Sequence, residues 1–414
     1  MSLYEWNFQP PSPSSLGDHD VPLDGAQLAG RRIALMVCGG IAAMKAPFVA
    51  RALRRRGAEV VAFASEEALR YVAADTLEWA TNRPIISRLT YKAEHLSDGA
   101  PFDAYLVAPA TYNTINKVAS GVADGVITAA MASALGRLSR GQSAVLMAPT
   151  MHGSMHNPIL VESCRRLAAM GVFLVAPRDD YGKHNLPDEA VLVAAVCRAV
   201  SRSPLRGKRV LVTGGPTPTP IDGVRRLTNR FRGRLGAEIA AELVLRGADT
   251  LLIHGDGAWR PPAWIPYEVA HTYEDYKTRV LSRLDAGYAA GVFSAGVADY
   301  RPKVRAEGKI PSGLATLRLE LEPTEKVIDL ARAEHPELHV VAFKYLEGVP
   351  HERLMEVARA RLTRYPAVVA NRSEEWEGGQ QVAWLFTQDG EQPLVGKPAI
   401  AQAICDHLER RLSD

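Results

Sequence analysis

The polar residues able to do chemistry in this chain sit where short apolar runs stop. Thr111, Asn113, Thr114 and Asn116 follow the run Ala104–Ala108. They are neutral donors and acceptors with no acid or base among them, which suits the edge and phosphate of a flavin. The run Ser143–Met147 ends in MAPTMHGSMHNP, bringing Thr150, Met151, His152, Met155 and His156 to a second such edge. His95 lies upstream in the polar stretch KAEHLSDG; imidazole is the side chain most easily tuned for proton transfer near neutral pH. His152 and His156 form an i, i+4 pair that could bind zinc, although no third ligand has metal-like spacing. In the second half, Arg225 and Arg226 follow an extended Pro-rich loop and precede Thr228 and Asn229, a pattern suited to phosphate.

Two strand-then-turn signatures must position these groups. RRIALMVCGGIAAMK begins at Arg31 and GKRVLVTGGPTPTPID at Gly207. Each is a β-branched apolar run cut off by Gly-Gly, where main-chain N–H groups lie open to a phosphate. Either pair alone reads equally as a tight βα turn. Neither is a dinucleotide fingerprint: GxGxxG is missing, and Ser65 stands after the second strand where a ribose-binding acid belongs. A phosphate or ribityl hydroxyl suits Ser65 better, and Gly39, Gly40, Ile41 and Ala42 let a helix start close to a ligand. In the second loop three prolines block an immediate helix.

Periodicity predicts strands at Ile33–Val37, Glu59–Ala64, Ala104–Ala108, Ser143–Met147 and Val172–Ala176, with helices near Ala42–Arg56 and Glu66–Ala73. After the linker SRSPLRGK the rhythm restarts. Strands are expected at Arg209–Thr213, Thr250–His254, Gly291–Ser294, His339–Phe343 and Ala367–Ala370, with helices at Arg234–Arg246 and near Ala399–Leu412. The expected fold is therefore α/β, with two tandem doubly wound parallel-sheet domains: a flavodoxin-like flavoprotein domain over 30–203 and a Rossmann-like domain over 204–414. A flexible, Pro- and Ser-rich arm is expected over 1–29, without the basic and apolar regions of a secretion signal.

The 414 residues exceed what one core organises. A composition of 47% hydrophobic and 23% charged residues is ordinary for a globular enzyme. No apolar run approaches the ~18–20 residues of a membrane helix. A net charge of +3 without basic-aromatic stretches argues against nucleic acid. Four scattered cysteines without CxxC spacing read as reduced cytoplasmic thiols.

The order GGIAAMK, then His95, then APATYNTI, then Pro149-Thr150-Met151-His152 resembles the flavin-dependent cysteine decarboxylases. TGGPT, Ile221-Asp222 and VRRLTN resemble phosphopantothenate–cysteine ligase. Both together resemble the bifunctional decarboxylase/ligase family of coenzyme A synthesis, over about residues 30–412. The resemblance implies that Gly39 to Ala42, Ser65, Thr111, Tyr112, Asn113, Thr114 and Thr150 hold FMN. It makes His95 the catalytic histidine and turns Met151, His152 and Met155 to the substrate. In the ligase half it implies that Asn229 holds an acyl-nucleotide with help from Arg225, and that Lys309 in EGKIPSG neutralises phosphate charge. Ala295, Gly296 and Asp299 of SAGVADYRPK would meet the nucleotide, Phe343 would stack on a cytosine, and Arg359 and Arg364 would be weaker phosphate contacts. Implied ligands are 4′-phosphopantothenate, cysteine, CTP and Mg²⁺. The implied assembly is a homo-oligomer, trimeric through the flavin half and dimeric through the ligase half.

Two departures stand out. The usual Asn-x-Ser-Ser-Gly is replaced by Asn229-Arg230-Phe231-Arg232-Gly233, where the arginines either bind phosphate or form a solvated turn. The Gly-rich flap that carries a Cys in many members is matched by PRDDYGKHNLPDEAV, which has none; Tyr181, Lys183 and His184 are candidates to supply the product's proton. These departures also motivate two alternatives: an FMN-dependent decarboxylase of another cysteine-like or peptide substrate with a diverged partner domain, or a non-catalytic flavin-binding scaffold.

Overall fold

The computed structural model describes residues 6, 8–96, 99–313 and 315–413. Residues 1–5 and 7 of the expected arm, and 97–98 of the polar stretch after His95, lie outside the described residues. The chain divides into two compact units, 1–200 and 201–414.

In the first unit the apolar runs form strands β1 (Arg32–Val37), β2 (Glu59–Ala64), β3 (Ala104–Ala110), β4 (Ala144–Pro149) and β5 (Phe173–Leu174). All are parallel, in the order β2-β1-β3-β4-β5. The period of two along each strand sends alternate residues to opposite faces. Ala34, Met36, Tyr105, Val107, Val145 and Met147 form one core with Ile115, Met131 and Leu167 from the covering helices. Helices α1 (Ala46–Arg54), α2 (Ala74–Thr81), α3 (Tyr112–Ala119), α4 (Val126–Leu138), α5 (Pro158–Ala169) and α6 (Glu189–Val200) cover the sheet.

Three details differ from the sequence expectation. The helix after β1 begins as a 3₁₀ turn, Ile41–Lys45, and becomes α-helical at Ala46 with Pro47 in its first turn, where a missing N–H costs nothing. The helix expected at Glu66–Ala73 is a single turn closed by Ser65 Oγ accepting the Ala68 N–H at 3.2 Å; the true helix α2 follows it. The arm's last residues are docked: Leu28 is fully buried, and the Asp24 and Leu28 N–H groups donate to Arg55 and Arg56 carbonyls at 2.8 Å.

The second unit is built on β6 (Arg209–Gly214), β7 (Asp249–Gly255), β8 (Tyr267–Ala270), β9 (Ala290–Phe293), β10 (His339–Leu346), β11 (Ala367–Glu377), β12 (Gln380–Thr387) and β13 (Gly390–Val395). Their order is β8-β7-β6-β9-β10-β11-β12-β13. The first six are parallel as expected, but β12 and β13 are antiparallel, so the sheet is mixed. Gly378 and Gly379, with φ of 56° and 75°, supply the positive-φ pair that a tight hairpin turn requires. Helices α7 (Arg234–Leu245), α8 (Tyr273–Leu284), α9 (Val327–Glu334), α10 (His351–Arg361) and α11 (Gly396–Arg411) complete the unit.

One part-buried pair of histidines should make the stability of this unit depend on pH. His339 Nε2 and His407 Nε2 lie 2.8 Å apart, and His407 is 1% exposed. Burial, then the neighbouring His339 and arginines, pushes His407 down to about 4, and burial also lowers His339. A histidine kept neutral in the fold costs stability once the unfolded chain begins to bind a proton near pH 6.5. Thermal stability of this unit should therefore fall as pH drops from about 6.5 towards 4. His407→Leu should flatten that slope in a pH series of melting curves.

Candidate active sites

Four adjacent parallel strands of the first unit deliver their carboxyl ends to one edge, where open α/β sheets bind ligands. After β1, Gly39 cannot carry a side chain: its Cβ would lie 2.4 Å from Glu67 Cβ, so the β1 and β2 turns are pressed together. Gly40 faces Thr111, whose Cγ2 would lie 3.5 Å from an added Cβ. The 3₁₀ turn beginning at Ile41 has no side-chain cap, so its first N–H groups point to the edge without intrahelical acceptors. Thr111 caps α3, accepting the Thr114 N–H at 3.4 Å, and the two hydroxyls lie 3.1 Å apart. Tyr112 exchanges hydrogen bonds with Asn157, Asn116 is held by Tyr112 and Ser163, and Asn113 is exposed. The Thr150 N–H donates to Ala110 O at 2.9 Å, tying β4's end to β3's.

Gly39 to Ala42, Ser65, Thr111 to Thr114 and Thr150 are thus brought to one edge. Neutral hydroxyls, an open turn and glycine-lined backbone fit an FMN phosphate and ring edge. Cys38 lies beneath them; burial pushes its thiol up to about 11 against hydrogen bonds from Thr114 and Thr111, so it stays neutral.

Of the three residues expected to face the substrate, Met151 is buried while His152 and Met155 are exposed. Met151 is 8% exposed and packs with the core, on the short strand that pairs with Lys183 and His184. His152 accepts the Ser154 N–H at 3.1 Å and contacts its hydroxyl at 2.8 Å, while His156 turns instead to His184. This divergence removes the i, i+4 zinc pair. Among the described residues no group of three His, Cys, Asp or Glu could hold a metal ion. Met155 is exposed. His95 stands between α2 and β3; its Nδ1 is buried without a hydrogen-bond partner among the described residues. An imidazole nitrogen shielded from water and unpaired carries a cost that a ligand contact would relieve.

In the second unit the carboxyl ends of β6, β7 and β9 converge. Gly215, at φ 79°, packs on Gly255, and a Cβ on Gly255 would lie 1.7 Å from Pro216 O. The Gly296 N–H donates to Gly215 O at 2.9 Å, Ala295 N–H to Thr213 Oγ1 at 3.2 Å and Ala298 N–H to Thr217 Oγ1 at 2.8 Å. Asn229 completes this knot: its side-chain amide donates to Gly296 O while its Oδ1 accepts the Phe231 N–H at 3.2 Å. Asn229, Ala295 and Gly296 therefore form one site. Phe231 lies across Gly296 and meets Tyr345 edge-on at 5.4 Å.

Asp222, unassigned from the sequence, is the hub of the neighbouring loop. It is 3% exposed and accepts the N–H groups of Arg225 at 2.6 Å, Val224 at 2.7 Å and Ile310 at 3.0 Å, together with the Arg225 guanidinium at 2.6 Å. These donors, the Arg225 N–H foremost, hold its carboxyl far below the usual range despite burial. Arg225 also reaches Ile310 O at 3.1 Å, Gly223 N–H reaches Gly308 O at 2.6 Å, and Ala306 N–H reaches Ile221 O at 3.1 Å. The exposed Lys309 is thereby carried to the Asp222–Arg225 loop. Asp222→Ala should release both loops, cut ligase kcat/KM roughly 10²-fold through misplacement, and open residues 305–310 to limited proteolysis. Because the folded carboxyl titrates below its unfolded value, its anchoring is complete above about pH 4 and weakens only as pH falls through the depressed value.

Asp299 pairs with Lys326 and its carbonyl accepts the Thr324 N–H at 3.0 Å. Lys326, the residue before α9, thus sets a cation against Asp299 that the sequence reading did not single out. Phe343 is half-buried against the core. Arg359 and Arg364 are not brought to the site. Helix α10 leaves the carboxyl edge and runs back along the sheet, so Arg359 meets Glu391 at 2.6 Å and Arg364 meets Asp329 at 2.8 Å. Glu391 pairs with Phe386, opposite Val368 at the start of β11, which marks the amino edge.

Comparison with known proteins agrees with this division. Residues 24–201 match the flavoprotein family and residues 205–412 match the DNA/pantothenate metabolism flavoprotein C-terminal domain. The coenzyme A biosynthesis bifunctional protein CoaBC of Thermococcus kodakarensis is 34% identical over 397 residues, covering 93% of this chain and 96% of the relative. The protein of the same description from Mycolicibacterium smegmatis is 30% identical over 414 residues, covering 92% and 97%. Among solved structures, the DNA/pantothenate metabolism flavoprotein from Streptococcus pneumoniae aligns with 24% identity and a TM-score of 0.45 over 50% of this chain and all of that one. With both family domains in this order and full-length relatives at this identity, the chain belongs to the family of coenzyme A biosynthesis bifunctional proteins, CoaBC.

Proposed function

We propose that the second unit couples 4′-phosphopantothenate to cysteine through an acyl-nucleotide made from CTP, and that the first decarboxylates the product with FMN to 4′-phosphopantetheine. The observation that carries this reading is the stitching of residues 306–310 to 221–225. It sets Lys309 beside the loop that leads to Asn229 and Gly296. Carboxylate activation by a nucleotide builds anionic charge on phosphorus and on the acyl oxygen. Lys309 and Lys326 neutralise the former, and the Asn229 amide, held at Gly296, is placed for the latter. Mg²⁺ would be carried by phosphate oxygens of the triphosphate together with its own waters.

In the first unit, FMN supplies the two-electron oxidation of the substrate thiol that makes the β-carboxylate labile. Thr111, Thr114, Ser65 and the Gly39–Ala42 turn would hold it at the edge, and His95 would take the proton from the substrate. Cys38, Cys164, Cys197 and Cys405 form no disulfide with one another, in keeping with a cytoplasmic setting. Ile41, Met44 and Phe48 leave an exposed apolar strip beside the flavin turn, which supports a homo-oligomer, trimer-based with paired ligase units. Incubation of the purified chain with 4′-phosphopantothenate, cysteine, CTP and Mg²⁺ should release pyrophosphate only when all are present. No release would contradict the ligase reading.

A further inference from the structure

Residues 178–185, which carry no cysteine, form a hairpin of Arg178–Asp180 and Lys183–Asn185. Its turn at Tyr181 and Gly182 takes φ of 51° and 67°. The second strand pairs antiparallel with Met151–His152, placing His184 opposite Met151, and the Gly153 N–H donates to Gly182 O at 2.9 Å. A Cβ on Gly153 would lie 2.4 Å from that oxygen, so the hairpin is seated on the segment that follows Thr150.

Three side chains line up on this seat. Asp179 Oδ1 lies 2.6 Å from His184 Nδ1, and His184 Nε2 lies 2.9 Å from His156 Nδ1. All three line a cavity of about 420 Å³ whose other walls include Pro149, Leu160 and Cys164. Asp179 is 69% exposed, His184 is 21% exposed and His156 is exposed, so His184 is the shielded middle of the chain and solvent reaches both ends. His156 Nε2 has no hydrogen-bond partner among the described residues.

Loss of carbon dioxide from the oxidised substrate leaves an enethiolate. Restoring a saturated product requires one proton on the carbon that held the carboxylate. We propose that Asp179, His184 and His156 form the proton-delivery chain for that step, with His156 Nε2 as the donor; this rests on the decarboxylase reading above. The C=C pair takes the proton from His156 and forms the C–H bond, and the sulfur-bearing carbon becomes a thioaldehyde. That carbon would then take back the hydride that bound FMN would supply, giving the saturated thiolate. His184 reprotonates His156 from solvent, and Asp179 fixes the tautomer and balances the positive charge. Cys164 is poorly suited to compete, because burial raises its thiol.

The test uses the full chain loaded with FMN and given 4′-phosphopantothenoylcysteine without oxygen. The parent should release carbon dioxide, make the saturated thiol and regain its yellow colour. His156→Gln and His184→Asn should release carbon dioxide once per flavin, accumulate a product lighter by one pair of hydrogens, and stay bleached. Saturated product should form roughly 10²–10⁴-fold more slowly. In the FMN-free protein, Asp179→Asn should abolish a low-field imidazole N–H resonance that His156→Gln retains, a readout independent of turnover. Saturated product at the parental rate from all three variants would overturn the relay alone. No carbon dioxide from the parent would overturn the decarboxylase reading and the relay with it.

Discussion

Asn229→Asp is expected to lower pyrophosphate release by about 10²–10³-fold, roughly 2.7–4 kcal/mol of transition-state stabilisation. Decarboxylation of supplied 4′-phosphopantothenoylcysteine should be untouched. The amide is committed on both sides: its nitrogen donates to Gly296 O and its oxygen accepts the Phe231 N–H. A carboxylate keeps the second contact and loses the first, leaving two oxygens opposed, and it sets negative charge where the acyl-nucleotide must lie. Lys309→Gln should be similarly confined to the ligase. Parallel assays of pyrophosphate and carbon dioxide on the same preparations separate these outcomes, and equal losses in both activities would contradict the assignment.

The second large effect belongs to His95→Asn. Decarboxylation should fall by ~10²–10⁴-fold, the usual cost of a lost general base. FMN should remain bound, because the residues at the sheet edge that fit it do not include His95. The unpartnered Nδ1 gives this substitution a second signature. Removing an imidazole whose buried nitrogen is unsatisfied should leave thermal stability unchanged or slightly raised. A colourless His95→Asn protein would place the histidine in cofactor binding instead.

The strands and their order of appearance were legible because buried parallel strands are continuous apolar runs, as in Ile33–Val37 and Arg209–Thr213. The edge residues were legible for the same reason: Thr111 and Thr114 directly follow a strand end, and Asn229 leads into α7 within one loop. What was not legible came from contacts across the chain. His156 and His184 lie 28 positions apart and meet only because the 178–185 hairpin folds onto Met151–His152. Asp222 looked like one loop residue among several until Ile310, 88 positions on, was found donating to it. The antiparallel β12 and β13 were announced by Gly378-Gly379 and Asp389-Gly390, turn signals that the expectation of a continuing βα rhythm passed over. Arg359 and Arg364 were misplaced because a helix carries its first and last turns to opposite edges of a sheet, which spacing along the chain does not reveal.

The central claim is that one polypeptide joins cysteine to 4′-phosphopantothenate and then removes the carboxylate it has just brought in. Cysteine labelled in its carboxyl carbon, given with 4′-phosphopantothenate, CTP and Mg²⁺ to the FMN-loaded protein, tests it in one tube. The account predicts labelled carbon dioxide released mole for mole with pyrophosphate after a short lag, and none when CTP is omitted. Pyrophosphate with all the label retained in the amide product, or labelled carbon dioxide without CTP, would contradict it.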